Sequence, residues 1–123
     1  MKRLLSTVLT LFLCLSVCVN VSCAKNITYE SSVIYVRYVN DNEHPIMLSE
    51  EERDNMLRIW NNAEWEEDIT KSAADYLFEL DGITLYYTSH AGIFDDRENY
   101  RHFYLHKSEW TQIDSMLNSK SND

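Results

Sequence analysis

His90, Asp95, Asp96 and His102 are the residues whose types and spacing best suit chemistry. A carboxylate beside an imidazole holds the ring in one tautomer and makes it a general base, or half of a hydrolytic site. Imidazole with carboxylate also ligates zinc or manganese. The sequence places His90 at a strand end, the two acids in the next turn and His102 on the following strand. A solvated acidic turn beside two surface histidines accounts for the same residues, since charged turns are the norm on surfaces. These four are therefore weak catalytic candidates, and no metal site is assigned. His102 and His106 have the spacing of a helical metal pair, but Phe103 stands where the zincin motif needs Glu. On a strand they would lie about 13 Å apart, too far for one ion. Ser89 and His90 adjoin on a strand end and point to opposite faces, which defeats a simple dyad. The run Asp95 to Asn99 lacks the glycine of a calcium loop.

A second constellation is Trp65 flanked by Glu64, Glu66, Glu67 and Asp68. An aromatic anchor ringed by acids suits a basic protein partner; a solvated helix end is the plainer reading. The element upstream decides what the indole does. Ser49-Glu50-Glu51-Glu52 reads as a capping box opening a helix over about 50–64. Met56, Ile59, Trp60 and Ala63 recur at three and four and form its apolar stripe. Trp65 falls on the opposite side, so either the helix stops before it or the indole faces solvent.

The remaining elements follow from alternation and turn chemistry. Residues 25–31 read as a short leader. Residues 32–39 alternate β-branched and aromatic side chains on both faces, as in a central strand. Residues 40–45 read as a polar loop closed by Pro45, the only proline. Asp81-Gly82 joins residues 76–80 to 83–87 as a two-residue hairpin. Its faces match when Leu80 opposes Ile83, Phe78 opposes Leu85 and Tyr76 opposes Tyr87. Gly92 marks the next reversal, residues 95–99 a charged turn and residues 100–106 a strand. Ser108 is placed to cap a last helix over about 109–118 that buries Trp110, Ile113 and Leu117. The fold class is α+β in the order β-α-β-β-β-α: an antiparallel sheet of about four strands with two helices on one face.

Residues 1–24 read as a cleaved signal peptide. Lys2 and Arg3 precede an apolar run to Val21, and Ser22-Cys23-Ala24 offers a processing site after Ala24. Lipidation of Cys23 or Cys18 is the alternative; each matches half of a lipoprotein signal. All three cysteines, with Cys14, lie in this segment, so residues 25–123, a single small domain, carry no disulfide or thiol chemistry. Asn26-Ile27-Thr28 is a glycosylation sequon where the secretory pathway is eukaryotic. Removal of residues 1–24 takes two basic residues and no acid, leaving nine basic against twenty acidic, a formal charge of −11.

That charge argues against nucleic acid and anionic lipid, both of which reward a basic surface. The only glycines, Gly82 and Gly92, form no phosphate-cradling or dinucleotide loop, so no cofactor is expected. The sequence thus suggests a secreted, non-enzymatic binding or inhibitor-type module for a basic protein, with no membrane insertion after cleavage. A small hydrolase or metal-binding protein is one alternative, and an envelope lipoprotein accessory domain another.

Overall fold

A computed structural model describes residues 27–121. The expected signal peptide, residues 1–24, with its expected cleavage point after Ala24 and the three cysteines, and Asn26 lie outside these residues. The described chain is α+β: two helices and one antiparallel sheet of seven strands, three more than the sequence reading allowed. The strands are β1 (Tyr35–Tyr38), β2 (Asp41–Met47), β3 (Glu66–Glu67), β4 (Tyr76–Leu80), β5 (Ile83–Thr88), β6 (Ile93–Asp96) and β7 (Arg101–Tyr104). Helix α1 (Glu50–Asn62) lies between β2 and β3, and α2 (Lys107–Ser121) closes the chain. The sheet order is β2-β1-β4-β5-β6-β7-β3. No described helix is long and apolar enough to cross a membrane.

The hairpin pairs as its faces require: Tyr76 with Tyr87, Phe78 with Leu85, Leu80 with Ile83. Gly82 takes φ +79°, the left-handed value that turn needs. Gly92 is also left-handed, and a Cβ there would sit 2.7 Å from Cγ and 2.8 Å from Cβ of Trp110. The capping box forms in both directions: Glu52 N–H donates to Ser49 Oγ (3.2 Å), and Ser49 N–H donates to Glu52 Oε1 (2.8 Å). Helix α1 stops at Asn62, before Trp65. Ser108 does not cap α2, which begins one residue earlier at Lys107; the Glu109 carboxylate instead accepts from His106 N–H (3.3 Å).

Alternation assigns the two sheet faces. Val36, Phe78, Leu85, Tyr87, Phe94 and Phe103 are all buried and point inward. Trp60 of α1, fully buried, meets Phe78 and Phe94 edge-on at 5.6 and 5.5 Å. Ile113 and Leu117 of α2 join the same core. The two helices are tied across their surface by Lys120 Nζ to Glu52 Oε1 (2.7 Å).

The unanticipated strands arise where polar residues hid a ladder. β2 spans the stretch read as a loop; it is an edge strand, where Pro45 and charged residues are tolerated. β6 includes Asp95 and Asp96, which belong to a strand and not to a turn.

Candidate functional site

The four catalytic candidates do not assemble. Asp95 and Asp96 adjoin on β6 and so point to opposite faces, and both are buried. Asp95 faces the outer side, where the segment from β3 to β4 crosses over it. Its carboxylate accepts from Thr70 N–H (2.8 Å) and Thr70 Oγ1–H (2.6 Å). His102 is Asp95's register partner on β7. Its ring is nevertheless engaged elsewhere: Nδ1–H donates to the Asp68 carbonyl (2.8 Å), and Nε2 lies 3.2 Å from Glu66 Oε2. His90 sits in an exposed turn at φ +61°; its Nδ1 is 3.7 Å from Asp114 Oδ2, which accepts its backbone N–H at 2.9 Å. The carboxylates thus serve backbone and hydroxyl donors and neither faces His90. Among the described residues no three His, Cys, Asp or Glu side chains are grouped so as to hold a metal ion.

Asp96 anchors a network that sequence reasoning missed. Its inward carboxylate accepts from Tyr29 Oη–H (2.6 Å), Asn99 Nδ2–H (2.8 Å) and Asn99 N–H (3.2 Å). Arg101 donates from Nε to Tyr29 Oη (3.1 Å) and approaches Asp96 itself at 3.8 Å. Tyr29, read as part of a leader, is therefore a core residue, 2% exposed. Its backbone is held from both sides by Asn61, whose Oδ1 accepts Tyr29 N–H (2.7 Å) while its Nδ2–H donates to the Tyr29 carbonyl (2.9 Å). Burial, then the Asp96 carboxylate, push the Tyr29 phenol well above its ordinary ionisation range; Arg101 opposes this only in part. Tyr87 is pushed upward likewise, by burial and by its hydrogen bond to Asp114. One phenol in an otherwise polar stretch gives little sequence signal for such a role.

Trp65 does not stand out as a solvent-facing anchor. It is half-buried, and its Nε1–H donates to the Trp60 carbonyl (2.8 Å). Its ring packs on Phe103 (4.5 Å) and Tyr29 (5.4 Å), under the Arg101 guanidinium at 4.4 Å. The expectation of a free indole fails because α1 ends early, which lets the chain turn Trp65 back onto the core edge.

The acids around it divide. Glu67 ends β3, and Asp68 just beyond it takes φ +79° and donates its N–H to the Tyr100 carbonyl (2.8 Å). Glu64 and Glu66 instead line an open groove of 620 Å³ between the end of α1, β7 and the start of α2. Ile59, Ala63, Phe103 and Leu105 supply apolar lining, with Tyr104, Asn62 and His106 beside them. Glu109 adds a third acid, against Arg58 as the one Lys or Arg among the lining residues. Arg58 itself is bonded to Asn55 Oδ1. The groove thus mixes apolar lining, with Phe103 and Leu105 buried, and acidic side chains, with Glu64 and Glu66 exposed. Comparison with protein-family models, with curated proteins and with solved structures finds no match for this chain.

Proposed function

We propose that this is a non-enzymatic, extracytoplasmic binding module whose groove takes a basic segment of a protein partner. The observation that carries the reading is the groove itself: apolar lining shared with Glu64, Glu66 and Glu109, in a domain of formal charge −11 once residues 1–24 are removed. Apolar contact supplies affinity, while the acidic rim steers a basic ligand and selects against an acidic one. The engagement of Asp95 and Asp96 in structural hydrogen bonds favours this over the hydrolase alternative. Export rests on the leader, with a lipid anchor at Cys23 or Cys18 as its variant. Either would present the groove outside the cytoplasm.

The test is an NMR titration with the acetylated, amidated peptide Lys-Val-Lys-Leu-Lys and its Glu-for-Lys counterpart. Shift changes should concentrate at Ala63, Phe103 and Leu105, occur with the basic peptide only, and weaken with salt as the screening length falls from ~10 Å at 0.1 M to ~3 Å at 1 M. Reversing Glu64 and Glu109 to Lys together should weaken binding at least tenfold. Shifts spread evenly over the acidic surface, or indifferent to the reversals, would overturn the reading.

A further inference from the structure

We propose that the groove recognises its partner by strand addition: an extended segment pairs with the open edge of β7 at Tyr104, in line with β3. This rests on the binding reading above and adds the geometry of recognition.

The ladder between β6 and β7 sets which backbone groups face the groove. Leu105 N–H donates to the Gly92 carbonyl (2.7 Å), and Phe94 lies opposite Phe103. In an antiparallel ladder alternate residues turn both backbone groups to the same neighbour. Phe103 and Leu105 therefore turn toward β6, and His102 and Tyr104 turn away from it. His102 is met there by Glu66 of β3. β3 has only two residues, and the chain between α1 and Glu66 makes no ladder pairing with β7. Nothing continues the ladder opposite Tyr104, whose N–H and C=O have no hydrogen-bond partner among the described residues. The slot closes at His106, whose carbonyl accepts from Glu109 N–H (2.9 Å) and Trp110 N–H (3.0 Å) of α2. It admits about two or three residues of strand.

An added strand would satisfy Tyr104's backbone and place its side chains alternately on the two faces. One set would lie over Phe103 and Leu105. The other would lie on the side of Glu66 and the exposed Tyr104 ring. The fitting ligand is therefore an extended segment that alternates aliphatic and basic residues. A helical ligand satisfies its own backbone and leaves Tyr104 unmet.

The experiment uses protein purified from its native host, the peptide Lys-Val-Lys-Leu-Lys, and five versions each N-methylated at one residue. N-methylation should weaken binding at least tenfold at the one residue whose N–H meets the Tyr104 carbonyl and little at the others. The Tyr104 amide should exchange faster than those of Phe103 and Leu105 in the unliganded protein, and slow at least tenfold with the unmodified peptide. Equal binding by all five versions, or an unslowed Tyr104 amide despite shifts in the groove, overturns strand addition and leaves the binding reading standing. A Tyr104 amide already protected without peptide also overturns it, because the edge is then occupied by this chain or a second copy. Absence of groove shifts with the unmodified peptide overturns the binding reading, and this inference with it.

Discussion

Tyr29→Phe tests whether the N-terminal segment is a structural plug. The substitution keeps the ring and its contacts with Trp60 (6.3 Å) and Trp65 (5.4 Å), and removes only the hydroxyl. That hydroxyl is a donor to Asp96 Oδ2 and an acceptor for Arg101. Without it, Asp96, fully buried, keeps Asn99 as its hydrogen-bond donor and Arg101 at 3.8 Å. A hydrogen bond to a charged group contributes about 1.5–3 kcal/mol, and the substitution removes two, the donor to Asp96 and the acceptor for Arg101. No cavity term applies, so the expected loss is about 2–3 kcal/mol. With a urea slope of about 1–3 kcal/mol/M, the midpoint should fall by about 0.7–3 M. Tyr29→Ala should lose about 3–5 kcal/mol, because ring packing goes as well. Tyr100→Phe, at a residue 62% exposed, serves as control and should stay within about 0.5 kcal/mol. Urea unfolding followed by tryptophan fluorescence measures all three. A Tyr29→Phe protein within about 0.5 kcal/mol of the parent would refute the plug.

Trp65→Ala should destabilise the domain by about 3–5 kcal/mol in the same assay, since the indole packs on Phe103 and Tyr29 and bonds to Trp60; unchanged stability would mean the ring is dispensable to the core edge. Raised pH should unfold the protein through its two buried phenols. Below the ordinary phenol value of about 10 both are protonated folded or unfolded, and above it only the unfolded chain ionises. Stability should therefore fall by about 1.4 kcal/mol per pH unit for each of Tyr29 and Tyr87. A late tyrosinate absorbance phase at 295 nm that coincides with loss of circular dichroism would show it, and full ionisation of all eight tyrosines with the fold intact would contradict it.

The parts of the fold legible in sequence are those where one local signal is decisive. Asp81-Gly82 set the hairpin register because two apolar faces agree only one way. Ser49 and Glu52 located the start of α1 to the residue, because the capping box is reciprocal and local. β2 was hidden because an edge strand needs neither apolar face, so its polar residues read as loop. β6 was hidden because Asp95 and Asp96 look like turn chemistry until Thr70, Tyr29 and Asn99 are brought to them from distant parts of the chain. The same long-range contacts broke up the expected His–Asp cluster. The groove was half visible: Glu64 and Glu66 were among the residues singled out, but for an indole that turned out to be tucked away. Phe103, Leu105 and Glu109 belong to elements that only the sheet order brings beside them.

The bonds from Tyr29 to Asp96 and Arg101 span 67 and 72 residues of sequence. Loop-closure entropy grows only slowly with such a span, so the cost in stability is modest, but long-range closure slows folding. During synthesis Tyr29 emerges before β6 and β7 and must wait for them. Until Arg101 and Phe103 have emerged, Trp65 lacks the guanidinium and the ring that pack on it, and an unfinished chain exposes aromatic surface that the folded domain hides. Completion of the core thus waits until Arg101 has been made, when segments 67 and 72 residues apart in sequence meet.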